Sequence, residues 1–139
     1  MKIKGVGHVA VIVPDVEASR HFWEDCLGLH FECMEDSPAA LARLSIFRAG
    51  NDKVELISGT APESKYSRMV ADGKGGLHHI CLIVEDIEAA LAELKAKNVP
   101  LLDQTPRRGH GGSLIAFIDP VATDRCLVEL AQMSATPAM

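Results

Sequence analysis

Two histidines and two glutamates in this 139-residue chain recur at nearly the same spacing. Glu55 lies 47 positions after His8, and Glu129 lies 50 positions after His79. Each glutamate occupies the same tripeptide, Val54-Glu55-Leu56 and Val128-Glu129-Leu130. Side chains alternate along a strand, so the flanking Val and Leu point to one face and the Glu to the other. With the apolar pair in a core, both carboxylates face an enclosed concave side, where a charge is costly without a positive partner. No Lys or Arg repeats at a matching strand position. The expectation is that His8, Glu55, His79 and Glu129 hold one divalent metal ion. A mixed nitrogen and oxygen set suits Zn, Ni, Co, Mn or Fe(II) better than Ca or a thiolate-selecting metal. A lone strand histidine is more often structural, and a lone glutamate in a terminal strand is usually solvated. Two such pairs in one repeat are a specific signal.

The elements that must position these residues repeat as well. Residues 7–16 read Gly-His-Val-Ala-Val-Ile-Val-Pro-Asp-Val, and residues 78–87 read His-His-Ile-Cys-Leu-Ile-Val-Glu-Asp-Ile. Aligning His8 with His79, each expected to open a strand, superposes five apolar residues and then Asp15 on Asp86. Both aspartates are good helix N-caps. In the second helix Ile87, Leu91, Leu94 and the stem of Lys95 make one apolar stripe, and Gly28 and Asn98 stop the two helices. Residues 30–34, 42–48 and 53–58 read as strands, with Gly50-Asn51-Asp52 as a hairpin turn. Residues 62–72 read as a loop and short helix. Residues 101–103, 113–118 and 125–131 read as the strands of the second half, and Gly109-His110-Gly111-Gly112 as a flexible loop. The tail 133–139 is expected to fray. The fold class expected is α+β, with two βαβββ modules in one domain: module 1 about 4–60, a linker about 61–75, module 2 about 76–132.

Composition excludes several roles. At 47% hydrophobic residues the chain can fill a core, while 4% aromatics leave no stacking surface for bases. A net charge of −5 argues against phosphate-backbone binding, so no nucleic-acid partner is expected. No apolar run approaches the roughly 18 to 20 residues that span a bilayer, so no membrane role is expected. Cys26, Cys33, Cys81 and Cys126 have no CxxC spacing and read as buried, reduced thiols. With no signal-peptide pattern, the expected location is cytoplasmic.

The sequence resembles the vicinal oxygen chelate superfamily, also called the glyoxalase/bleomycin-resistance fold. Within it the chain is most similar to the methylmalonyl-CoA epimerase branch. The matching stretches are residues 7–15, Gly75-Gly76-Leu77-His78-His79-Ile80, Pro62-Glu63-Ser64, and Gly109-His110-Gly111-Gly112 ahead of Ile115-Ala116-Phe117-Ile118. The resemblance implies curved mixed sheets around a metal held by His8, Glu55, His79 and Glu129, the ion being Co, Zn, Ni or Mn. It gives His78 no ligand role. It implies an isomerase that inverts the C2 stereocentre of methylmalonyl-CoA or a similar acyl-CoA thioester through a metal-stabilised enolate. Glu129 or Glu55 would carry protons as catalytic groups. A homodimer is implied too, and the small half-sheets need their edges covered. Arg107 and Arg108 are placed either to meet CoA phosphates or to form a solvated turn. The sequence departs from the branch at three places. Leu44 stands near the position of a base glutamate in some members, Asp119-Pro120-Val121 replaces His-Pro-Lys, and Arg125 replaces a Gly. Two other readings use the same scaffold: a glyoxalase I-type lactoylglutathione lyase, and a non-catalytic small-molecule-binding protein.

Overall fold

The computed structural model describes residues 1–135, so the last four residues of the tail expected to fray lie outside the described residues. Its contacts divide the chain into two compact units, one of residues His8–His78 and one of Met1–Gly7 with the residues from His79 onward. The elements are β1 (Ile3–Ile12), α1 (Val16–Arg20), β2 (His30–Ser37), β3 (Ala42–Ala49), β4 (Asp52–Gly59), α2 (Lys65–Ala71), β5 (Gly76–Val84), α3 (Ile87–Ala96), β6 (Arg107–Arg108), β7 (Leu114–Ile118) and β8 (Leu127–Gln132).

In the first repeat the strands run β2-β3-β4-β1, and in the second β6-β7-β8-β5. The first strand of each repeat pairs parallel with the last, and the other pairings are antiparallel. This is the expected α+β arrangement, two βαβββ repeats with mixed sheets. Gly50 and Asn51 connect β3 and β4, with Gly50 at φ +64°.

Asp15 accepts from the Glu17 N–H, and Asp86 accepts from the Ala89 N–H. Each helix start has a second partner from the far end of its own repeat. Ser58 Oγ accepts the Val16 N–H at 3.2 Å, and Gln132 Oε1 accepts the Ile87 N–H at 2.9 Å. These acceptors lie three residues past Glu55 and Glu129. They satisfy first-turn donors that a helix leaves open. After α1 the chain widens into a π-helical turn over His21–Cys26, then stops at Gly28 with φ +78°. Asn98 ends α3 at φ +59°.

Each helix packs on one side of its sheet. Val16, Phe47 and Leu56 are buried with Trp23, Val11 and Val54 around them. In the second repeat Ile87, Ala90, Leu91 and Leu130 form the matching core with Val128 and Leu94. Burying each such side chain contributes about 1.5–3 kcal/mol. A further apolar cluster joins Ala10, Ile12, Ala42 and Ile57 to Tyr66, Met69 and Val70 of α2.

Several expectations need correction. His8 is the sixth residue of β1 and His79 the fourth of β5, so neither opens its strand. Lys95 is exposed and donates to the Gln104 carbonyl, and Ala90 completes the α3 stripe instead. Residues 101–103 form no strand. Leu101 makes a single bridge to Ile118, and Arg107–Arg108 pair with Ile115 and Leu114. The last strand starts at Leu127, because Asp124 and Arg125 turn at positive φ of 53° and 74°. The Gly-rich segment is a short 3-10 turn over His110–Gly112. Cys26 and Cys126 are exposed and Cys33 is half-buried, so of the four only Cys81 is buried as expected.

Candidate metal centre

Parallel pairing fixes which side chains share a face. Ala10 lies opposite Glu55, and His8 is two residues before Ala10. Cys81 lies opposite Glu129, and His79 is two residues before Cys81. Side chains two apart on a strand share a face, as do residues directly paired across strands. Both repeats therefore put a histidine and a glutamate on the face opposite the helix, in the same register. Alternation sends Val54 and Leu56, or Val128 and Leu130, under the helix, as the tripeptides implied.

The pairs are close and enclosed. His8 Nε2 lies 3.0 Å from Glu55 Oε2, and His79 Nε2 lies 3.9 Å from Glu129 Oε2. Glu55 is 7% exposed and Glu129 6% exposed, which is unusual for carboxylates. Removing a charge from water costs several kcal/mol even after relaxation. A hydrogen bond to a charged group returns only about 1.5–3 kcal/mol. Lys53, two residues from Glu55, is paired with Glu32 at 3.3 Å. The chemistry of each pair, an imidazole nitrogen beside a buried carboxylate oxygen, thus suits ligation of a divalent cation.

The surroundings differ between the repeats. Beside Glu55 on β3 stands Ile46, with Cys33 of β2 beyond it. Beside Glu129 stands Phe117, whose ring meets the His79 imidazole edge-on at 5.3 Å. Arg107, exposed on β6, reaches over the Phe117 ring at 5.5 Å and pairs with Asp103 at 3.3 Å. A bulge between Phe31 and Cys33 turns Glu32 toward Arg48 and Lys53. Burial pushes Glu32 up, but the Lys53 ammonium and Arg48 guanidinium outweigh it and hold the carboxyl below its usual range. Burial raises the Cys33 thiol, and the carboxylates of Glu35, Glu32 and Glu55 add to this.

His78 lies edge-on to Tyr66 at 5.8 Å. Burial holds its imidazole below the ordinary histidine range, and the Lys65 ammonium adds to the shift. Leu44 pairs with Glu35 of β2 and Ile57 of β4, and packs against the α2 cluster. Glu35 is a titratable residue on this face that the sequence reading missed. The strand expected over 30–34 stops short of it, whereas β2 runs on to Ser37 and pairs Glu35 with Leu44.

Residues 7–117 match the Glyoxalase/Bleomycin resistance protein/Dioxygenase superfamily. The chain belongs to this superfamily. Among members, the ethylmalonyl-CoA/methylmalonyl-CoA epimerase of Cereibacter sphaeroides is 33% identical over 130 residues, covering 92% of this chain and 97% of that protein. The mitochondrial methylmalonyl-CoA epimerase of Mus musculus is 33% identical over 132 residues, covering 94% and 74%. A solved structure of a variant Streptomyces coelicolor methylmalonyl-CoA epimerase, in complex with 2-nitronate-propionyl-CoA, superposes with a TM-score of 0.89. It covers 99% of this chain and 100% of that one at 24% identity, a likeness of fold. The fold is the vicinal oxygen chelate fold of the superfamily. No helix among the described residues is long and apolar enough to cross a membrane.

Proposed function

We propose that His8, Glu55, His79 and Glu129 together hold one divalent ion, and that the chain epimerises an acyl-CoA thioester, methylmalonyl-CoA or a close analogue. The observation that carries the reading is the duplicated register, in which each buried glutamate sits opposite the residue two past a histidine. The epimerase relatives at 33% identity support the substrate class. When bound, the ion supplies Lewis-acid stabilisation of negative charge on a substrate oxygen.

The chain's own groups handle the proton. His8 and His79, fixed by their mid-strand positions, would hold the ion through ring nitrogens. Glu55 and Glu129 each carry two oxygens, so one oxygen can ligate while the other accepts a proton. A carboxylate oxygen takes the C2 proton, and the bonding electron pair moves into the thioester carbonyl as an enolate. Return of a proton to the opposite face restores the C–H bond with inversion, so a proton-carrying group is needed on each side. A homodimer belongs to the same reading, because β2 ends its sheet as an edge strand. Gel filtration at the mass of one chain would remove that part.

The test is deuterium incorporation at C2 of methylmalonyl-CoA, followed by NMR with the Co-loaded protein and a chelated control. Metal-dependent incorporation is expected. Metal bound without incorporation would overturn the epimerase and direct attention to glutathione hemithioacetals. His79→Ala or Glu129→Ala should abolish tight metal binding and cut turnover at least ~100-fold, leaving a folded chain by circular dichroism. Parental activity in either variant would sink the ligand set.

A further inference from the structure

The π-helical turn over His21–Cys26 brings together three side chains that the metal reading does not use. In an ordinary helix, side chains three or four residues apart are neighbours and those five apart are not. Here the Leu27 N–H donates to the Phe22 carbonyl at 2.9 Å, five residues back, and the widened turn sets Cys26 beside His21. Cys26 Sγ lies 3.7 Å from His21 Nε2, and His21 Nδ1 lies 3.2 Å from Asp25 Oδ2. The imidazole thus stands between a carboxylate and a thiol, one at each ring nitrogen. With Nδ1–H donating to Asp25, Nε2 keeps its lone pair for the thiol proton. Glu24, the other carboxylate of the turn, is held by Arg20 at 2.8 Å and does not compete.

A nucleophile, its base and a group that orients the base stand here in that order. Acyl transfer would also need donors aimed at an oxyanion. The N–H groups of Leu27, Gly28 and Leu29 donate instead to the Phe22, Glu24 and Trp23 carbonyls. Exchange with a disulfide needs no oxyanion donor, only a thiolate, access and a proton for the departing sulfur. Access is open, because Cys26 is exposed and no residue of the turn is buried. Cys126 is the contrast: it is also exposed, but its thiol donates to the Leu127 carbonyl at 3.8 Å, which is no base.

We infer that Cys26 is a thiol–disulfide exchange site for low-molecular-weight disulfides, with His21 moving the proton and Asp25 positioning His21. The Cys26 sulfur attacks one sulfur of the disulfide as His21 Nε2 takes the thiol proton. The disulfide bond breaks, its electron pair leaves with the second sulfur, and the imidazolium returns the proton there. Cys26 is oxidised to a mixed disulfide, and the other half of the reagent is reduced to a thiol. An excess of that thiol reverses the step.

The experiment treats the folded protein with oxidised glutathione and follows mixed disulfide at Cys26 and Cys126 in the same digest by mass spectrometry. Cys26 should react at least ~10-fold faster than Cys126. His21→Ala should bring Cys26 down to the Cys126 rate, and free imidazole should restore part of the difference. Asp25→Asn should slow Cys26, and Asp25→Glu should recover it. The His21 and Asp25 side chains are too exposed for their pairing to carry the fold, so melting temperatures should stay parental. Cys126, read in each variant, is the internal reference for any loosening of the chain. Equal rates at Cys26 and Cys126 in the parent would overturn the site. A parental Cys26 rate in His21→Ala would overturn it too, leaving exposure as the whole cause.

Discussion

Ser45 is fully buried on the helix-facing side of β3, between Met34 and Leu56, and its hydroxyl has no hydrogen-bond partner among the described residues. An unsatisfied buried hydroxyl costs roughly 1–3 kcal/mol. Ser45→Ala should stabilise the chain by about 1 kcal/mol in urea denaturation, and a loss of stability would show that the hydroxyl has a partner. The cysteines give a second prediction. Iodoacetamide at pH 8 should modify exposed Cys26 and Cys126 first, Cys33 more slowly because its thiol is raised, and Cys81 last. Early modification of Cys81, read by mass spectrometry, would contradict its burial. The His–Glu pairs could be read from the sequence because they occur twice, each in a strand of recognisable alternation. Exposure of Cys26 and Cys126 could not, because apolar sequence neighbours do not reveal a π-helical turn or a positive-φ corner. Glu35 was equally hidden, since its place depends on a bulge that shifts the β2 register.

Helix starts show the same division between local and distant information. Asp15 and Asp86 are caps that act within three residues, and both were legible. Ser58 and Gln132 act across 42 and 45 residues, and only the folded register shows them. Asp86→Ala should cost about 1 kcal/mol, the usual worth of such a cap. Urea denaturation would read it, and a neutral result would mean that Gln132 alone satisfies the first turn of α3. Strand β6 escaped the sequence reading because two residues carry no periodicity. The apolar pair at 101–102 looked more strand-like, yet Leu101 makes one bridge and the Asp103 carboxylate accepts the Phe117 N–H at 2.8 Å. Arg125 takes a left-handed backbone where the resemblance led us to expect Gly, a cost of roughly 1–2 kcal/mol.

Acid should weaken the fold in a defined direction. The Asp36 carboxyl is held below its usual range by the hydrogen bond and charge of Arg43, and Glu32 is lowered by Lys53 and Arg48 against its burial. Unfolded, both regain ordinary values near 4, so in that window the unfolded chain binds more protons. Stability is complete above the ordinary carboxylate range and declines as pH falls through the lower folded values. Urea midpoints measured stepwise from pH 6 to 3 check this; Glu32→Gln with Asp36→Asn should flatten the decline, and an unchanged slope would count against it. The domain class and its superfamily were legible because the repeat spans nearly the entire chain, and the residues 7–117 match agrees.

The parallel pairing of β1 with β4 has a consequence for synthesis. A parallel partner cannot be reached through a hairpin, and Glu55 is made 47 residues after His8. At translation rates of roughly 5–20 residues per second, Val9-Ala10-Val11-Ile12-Val13 waits several seconds on the ribosome with no β4 to join. The segment that carries the first of the two proposed ligand histidines is thus the first that a nascent chain leaves waiting for its partner, and the segment around His79 waits slightly longer, for Glu129 50 residues on.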